Sequence, residues 1–528
     1  MSKGSSEKGR EEYDTSYKAG QDNVQFLGLD VHNPVFGISA FIIFAFVIGS
    51  IAFPDNAKDV LMAARGWSIN QFDWFFMVAG NIFVLFCLAL IVLPMGKIRL
   101  GGTEAKPEHS TLTWFCMLFA AGMGIGLMFW SVAEPVAYFT GWYGTPLNVV
   151  ANTPEAESLA MGATMFHWGL HPWAIYAIVA LSLAFFAYNK GLPLTIRSAF
   201  YPLFGERVWG VLGHFVDILA VIATIFGLAT SLGFGAQQAT SGLNFLFDIP
   251  NTLTTQIIVI AVVTGVAIIS VARGLDGGVK LLSNINMIIA ALLAVFVLVV
   301  GHTGAIFGAM GTIFVGYLEN IIPLSNMVGR EDQTFYHGWT VFYWAWWISW
   351  SPFVGMFIAR VSRGRTIREF ITAVLLVPTL VSMVWMAIFG GSAIEQVQQG
   401  IGSLAENGIT DASLAMFQMF EHLPLTSIIS FIAIVLVLVF FVTSSDSGSL
   451  VIDGITAGGK TDAPMSQRVF WAVLEGIIAV ALLVGGGSEA LTAIQAAAIT
   501  IGLPFTVLLL VMCVSLFKGL QSDLKFVR

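Results

Sequence analysis

Apolar residues fill this chain in blocks of membrane length, separated by short polar stretches. A bilayer core about 30 Å thick needs a helix of about 20 mostly apolar residues. Twelve such runs lie near 34–54, 72–96, 112–140, 160–188, 211–246, 254–273, 281–306, 338–362, 369–392, 424–449, 467–486 and 493–517. The expected fold class is all-α integral membrane, with twelve transmembrane helices, here called spans 1 to 12. The first run is no cleavable signal peptide, because it follows some thirty polar residues and lacks a small-residue cleavage pattern. Between spans 7 and 8, residues 307–325 are apolar but Gly-interrupted. They are read as an interfacial or re-entrant helix, with a thirteenth span as the alternative.

Basic residues orient the spans. With the N-terminus inside and twelve alternating spans, only Lys58, Arg65 and Arg330 of the 24 Lys and Arg fall outside. One missed span would scramble that split, so both termini are expected in the cytoplasm. The tails are short. Residues 1–33 are charged and Gly/Ser-rich and read as a disordered cytoplasmic tail. Residues 34–517 form a single transporter-sized domain, and 518–528 a short cytoplasmic tail too small for a folded regulatory unit.

Composition removes other classes. The chain is 57% hydrophobic and 11% charged, so soluble enzymes and secreted disulfide scaffolds are excluded. A net charge of −8 is no nucleic-acid signature. Cys87, Cys116 and Cys513 all sit in apolar runs without metal or disulfide spacing.

Two spans carry breaks. Span 3 contains Gly122, Gly124 and Gly126, followed by Glu134-Pro135; span 8 contains Ser349-Trp350-Ser351-Pro352. Broken backbone is tolerated in a membrane only where it is buried or lines a cavity. Interrupted helices at matching places of two halves point to a transporter site between inverted repeats. Spans 3–7 (about 112–306) and 8–12 (about 338–517) are the expected repeats, with two extra N-terminal spans. The alternative, close-packing glycines, fits poorly with a spacing of two, which puts successive glycines on different faces.

Aromatics concentrate nearby. Span 4 holds Trp168, Trp173 and Tyr176, which share one broad face of a continuous helix at about 100° per residue. In span 8, Trp344, Trp347 and Trp350 share a face while Trp346 points elsewhere. Interfacial belts explain single Trp residues. A dense cluster beside a helix break is better explained as a cage for a methylated onium cation, bound by cation–π attraction where no acid is present. His167 and His171 are four apart, but no third ligand accompanies them, so they read as hydrogen-bonded helix histidines rather than a metal pair.

The stretches GMGIGLMFWSVAEP (122–135), HWGLHPWAIYA (167–177), LPLTIRSAFYPLFG (192–205), YWAWWISWSPFVGMFIARVSRGRTIREF (343–370) and FVTSSDSGS (441–449) resemble the betaine/carnitine/choline transporter family. The resemblance covers about residues 34–517. It implies a leucine-transporter-like 5+5 inverted repeat, a bacterial inner-membrane location and a homotrimer. It implies that Trp168, Trp173, Tyr176 and Trp347 form the central cage, with Trp346 and Trp350 along the substrate path. The glycines at 122, 124 and 126 would meet a substrate carboxylate. By the same resemblance, sodium would be held by Thr443, Ser444 and the carbonyls of Phe440, Ala120 and Met123; hydroxyl and carbonyl oxygens suit a hard cation. Back-bonding of the hydroxyls within span 10 is the competing account. A second sodium site in some relatives is not carried over, because Leu228, one turn beyond Thr224, offers no oxygen.

Choline carriers of the family tend to have Asp where this chain has Gly126. The substrate implied is thus an onium zwitterion, glycine betaine or dimethylsulfoniopropionate, taken up by sodium symport with no organic cofactor. Proton-coupled choline uptake and sodium-independent exchange are the alternatives. A membrane enzyme acting on a methylated headgroup lacks a nucleophile, metal cluster or nucleotide loop, and a membrane sensor lacks an output domain.

Overall fold

The computed structural model describes residues 11–122, 124–272, 280–405 and 411–527. Lipid offers backbone groups no partner, so each apolar run closes its hydrogen bonds as helix. Among the described residues, eleven helices are long and apolar enough to cross a membrane. Ten of them are expected spans, and the eleventh is Thr303–Ser325. The two remaining spans are the unusual ones. Span 3 is split into Thr111–Gly122 and Ile125–Thr140, and span 8 (Val341–Val361) is rich in Trp and Ser.

Burial sorts centre from periphery. The apolar stretch of span 4 is 89% buried, whereas that of span 7 is only 22% buried. Phe41 and Ile48 of span 1, Val262 of span 6 and Leu292 of span 7 are exposed, as lipid-facing side chains are. Packing follows the predicted repeat. Span 3 packs on span 9 as span 8 packs on span 4. Span 5 meets spans 11 and 12 as span 10 meets spans 6 and 7. Exchanging spans 3–7 with 8–12 therefore returns the same neighbours. The shift of five spans reverses each helix, which makes the repeat inverted.

Four expectations are corrected. First, residues 11–33 are not a disordered tail. Strands β1 (Asn23–Phe26) and β2 (Leu29–His32) form a hairpin whose turn residues Leu27 and Gly28 have φ of 47° and 78°. Positive φ at both positions matches the twist of a two-residue hairpin. The segment is tied to distant loops: Tyr13 N donates to Lys190 O (3.0 Å), Gly20 N to Gly458 O (2.9 Å), and Lys460 pairs with Asp30 (2.5 Å). Lys525 near the C-terminus pairs with Glu11 (2.5 Å), so both termini lie on one face of the bundle.

Second, span 4 is not continuous. Pro154–Trp168 and Leu170–Tyr188 meet at Gly169, whose φ and ψ are −101° and −129°. Tyr317 packs into the bend: its hydroxyl accepts from Leu170 N (3.0 Å), and a Cβ on residue 169 would stand 2.9 Å from that oxygen. Third, span 8 is not broken at Pro352. The missing proline N–H should leave Ile348 O without its helical donor, and Ser351 Oγ donates to that carbonyl instead (2.7 Å). Fourth, span 12 continues through Asp523, where it pairs with Lys190 (2.5 Å), well past the predicted end at 517.

The helix Thr303–Ser325 is unbroken. It lies along the first segment of span 4, so close that a Cβ on Gly162 would stand 2.5 Å from Gly316 O. An extra crossing would put the termini on opposite faces, so this helix packs beside the twelve spans without adding a crossing.

Candidate functional site

The break in span 3 sets the site. Gly124 has φ −173° and ψ −172°, extended backbone between the two segments. The second segment begins at Ile125 with no side-chain cap from Gly124, and the first amides of a helix lack an acceptor within it. Gln238 of span 5 holds that segment by donating from Nε2 to Met128 O (2.8 Å). Beside the break lies a small cavity of about 40 Å³. Gly124, Gly126 and Leu127 form one wall, Trp168, Pro172, Trp173 and Tyr176 a second, and Trp346, Trp347 and Trp350 a third. Ser231 of span 5 and Ser382 of span 9 complete it. Among the described residues, no charged side chain lines this space.

The rings stand as walls. Trp168 and Trp347 are 4.9 Å apart at 72°, Tyr176 and Trp347 6.2 Å at 78°, and Trp173 and Tyr176 5.3 Å at 77°. Near-perpendicular rings present several faces to one space, and each face carries the negative end of a quadrupole. Trp346 corrects the helical-face argument. It does not point elsewhere but stacks on Trp347 at 4.6 Å and 16° and reaches the cavity. Trp344 leaves the group and stacks on His171 (5.1 Å, 12°). Neighbours about 100° apart on a helix both reach a cavity that wraps around it.

Gly126 is glycine for space. A Cβ there would lie 2.8 Å from Trp346 Cη2 and 3.0 Å from Trp168 Cη2. Gly124 is different, since a Cβ there would meet nothing within 4 Å. Gly122 ends the first segment. Trp350 is anchored from Nε1 to Gly227 O (2.7 Å) on span 5.

The predicted cation ligands are less converged. Thr443 Oγ1 lies 3.1 Å from Val439 O and 3.3 Å from Phe440 O, which is the back-bonded geometry. A hydroxyl that donates inward keeps its lone pairs for a cation. Phe440 and Ser444 are buried on the same helix, and Ala120 sits in the last turn before the break in span 3. Met123 lies outside the described residues. Thr224 back-bonds to Ala220 O (2.7 Å), and Leu228 packs against Gly448, an apolar contact rather than a ligand set.

Sequence reasoning placed Glu134 at a helix break but missed what it does. Glu134 is fully buried. It accepts from Trp168 Nε1 (2.6 Å), Tyr343 OH (2.5 Å) and Tyr138 OH (2.8 Å), with His167 Nδ1 at 3.1 Å. His167 O in turn accepts from Trp347 Nε1 (2.9 Å), and His167 Nε2 meets Thr340 Oγ1 (3.0 Å). Spans 3, 4 and 8 are thus joined behind the aromatic wall of the cavity. The readable signal was the i,i+4 pair Glu134–Tyr138 beside His167-Trp168; the link to Tyr343 is tertiary. The other buried acids are paired or capped: Asp217 with Arg197 (2.5 Å), Asp446 with Ser270 (2.5 Å) and Glu475 with Ser445 (2.9 Å).

Comparison with known proteins agrees with this architecture. The model of the betaine/carnitine/choline family transporter matches residues 34–525. Glycine betaine transporter 1 of Vibrio parahaemolyticus is 65% identical over 510 residues, covering 96% of this chain and 97% of that protein. A glycine betaine/proline/choline/ectoine transporter of the same organism is 61% identical, covering 97% and 92%. The glycine betaine transporter OpuD of Bacillus subtilis is 42% identical, covering 94% and 95%. A mostly helical membrane chain with an aromatic cavity at a broken helix, matched along nearly its whole length, belongs to the betaine/carnitine/choline transporter family and is a transporter rather than an enzyme.

Proposed function

We propose that this chain is a sodium-coupled symporter that imports a methylated onium zwitterion, glycine betaine or dimethylsulfoniopropionate, by alternating access. The observation that carries the reading is the cavity itself: perpendicular aromatic rings, no charged lining among the described residues, and a helix N-terminus at one side. An onium head has no N–H to donate, so ring quadrupoles bind it better than a carboxylate pair would. Its carboxylate is drawn to the free amides and positive end of the helix that starts at Ile125. The names of the relatives, glycine betaine transporters among them, support the same substrate class.

Sodium is carried with the substrate, held by Thr443, Ser444 and the carbonyls of Phe440, Ala120 and Met123. The protein sits in a bacterial plasma membrane with both termini inside, a reading supported by the distribution of basic residues, and works as a homotrimer. Choline is the less favoured substrate. A carboxylate at position 126 would balance its charge, but any Cβ there runs into Trp346 and Trp168.

The test is uptake of labelled glycine betaine into proteoliposomes with and without an inward sodium gradient. Accumulation that needs sodium and is blocked by unlabelled dimethylsulfoniopropionate more than by choline is expected. Uptake indifferent to sodium would return Thr443 and Ser444 to ordinary helix hydroxyls.

A further inference from the structure

The cage holds no acid, yet one stands directly behind it. Glu134 Oε2 is 2.6 Å from Trp168 Nε1, and Trp168 is a wall of the cavity. Its donors are an indole N–H and two phenol O–H groups, the shell that an anion collects when water is excluded. His167 fits as a neutral imidazole, donating from Nδ1 to Glu134 and accepting at Nε2 from Thr340. Among the described residues, no Lys or Arg pairs with Glu134. A buried carboxylate without a fixed counter-charge is costly in a membrane and marks function. The nearest place for a cation that comes and goes is the far side of the Trp168 ring.

We propose that these donors keep Glu134 ionised and make it a positioning and specificity-determining residue, so that the cage selects the positive charge of its ligand rather than the ligand's shape. Two effects act together. The hydrogen bond fixes the indole and feeds electron density into its ring, which strengthens cation–π attraction. The charge itself acts through a low-dielectric wall, where it is poorly screened. The same carboxylate holds Tyr343, which stacks on Trp347 at 5.8 Å and 25°, so its reach extends to the span 8 side of the cage. The inference rests on the onium-cage reading given under Proposed function.

The experiment compares glycine betaine with 3,3-dimethylbutanoate, which replaces the quaternary nitrogen by carbon and keeps the shape and the carboxylate. Both are measured by competition against labelled glycine betaine on the purified full chain. The wild type is expected to prefer glycine betaine strongly. Glu134→Gln, which keeps the side-chain shape and removes the charge, should shrink that preference roughly tenfold. The loss should fall on glycine betaine, with the carbon analogue unchanged. Tyr343→Phe keeps the acid and the ring and removes one donor, so its preference should fall clearly less than that of Glu134→Gln. If Glu134→Gln does not fold, Glu134→Met, an apolar residue of similar volume, reads the same ratio.

A wild type that does not separate the two ligands overturns the cage reading itself. A wild type that separates them beside a Glu134→Gln protein with the same preference overturns only the role of Glu134. A Tyr343→Phe protein as indiscriminate as Glu134→Gln also overturns it, because loss of packing would then explain both.

Discussion

Spans 3 and 8 occupy equivalent places in the two five-span units, yet their backbones differ. Span 3 opens: its segments end at Gly122 and restart at Ile125 with extended Gly124 between them. Span 8 stays a helix from Val341 to Val361 although it contains Pro352. The site needs both conditions. An open backbone in span 3 supplies amides and lets rings approach. A closed helix in span 8 holds three Trp side chains at fixed angles. Pseudo-symmetry thus shapes the packing, while side-chain chemistry decides which copy bends.

The largest expected effect tests the open side. Gly126→Val should lower apparent glycine betaine affinity about 10- to 100-fold, because its Cβ displaces Trp346 and Trp168 from a filled space. Gly124→Ala should stay within about twofold, since its Cβ meets open space and a φ of −173° suits any residue. Binding to the purified protein measures both. Equal losses would mean that backbone flexibility, not ring approach, is what the glycines provide.

Ring removal comes next. Trp347→Ala on the closed span and Trp168→Ala on span 4 should each weaken binding by about 0.5–2 kcal/mol. Unchanged affinity in both would remove the cage assignment. Smaller still, Thr443→Ala combined with Ser444→Ala should raise the sodium concentration for half-maximal uptake several-fold while leaving substrate affinity at saturating sodium near wild type. An unaltered sodium curve would leave these hydroxyls with only their bonds to span 10 carbonyls.

What was legible in the sequence follows from which forces are local. Membrane length, basic-residue asymmetry and the glycine break are properties of neighbouring residues, so the spans, the shared face of the termini and the opening at Gly124 could be read. The aromatic residues that line the cavity could be named, but not their arrangement. Helical geometry put Trp344 with Trp347 and set Trp346 aside, whereas His171 captures Trp344 and the cavity takes Trp346. The bend at Gly169 has its freed amide, Leu170 N, taken up by Tyr317, nearly 150 positions away. The folded N-terminal segment depends on Lys190, Gly458 and Lys525, which its own composition cannot reveal. The closed state of span 8 was the exception, because Ser351 beside Pro352 was a local signal that was read as a break.

That signal yields the smallest predicted effect and the sharpest test of the closed side. Ser351→Ala should destabilise the protein by about 0.5–1.5 kcal/mol, because Ile348 O then loses its donor in a buried helix. Pro352→Ala should be near neutral alone, since the restored amide and the serine hydroxyl compete for the same carbonyl. In the double variant the amide takes the carbonyl over, so the serine's contribution should vanish. Thermal unfolding of the four proteins in detergent gives the coupling. A serine effect of the same size in both backgrounds would mean that Ser351 stabilises span 8 by packing, and that the proline leaves the helix with a gap it tolerates.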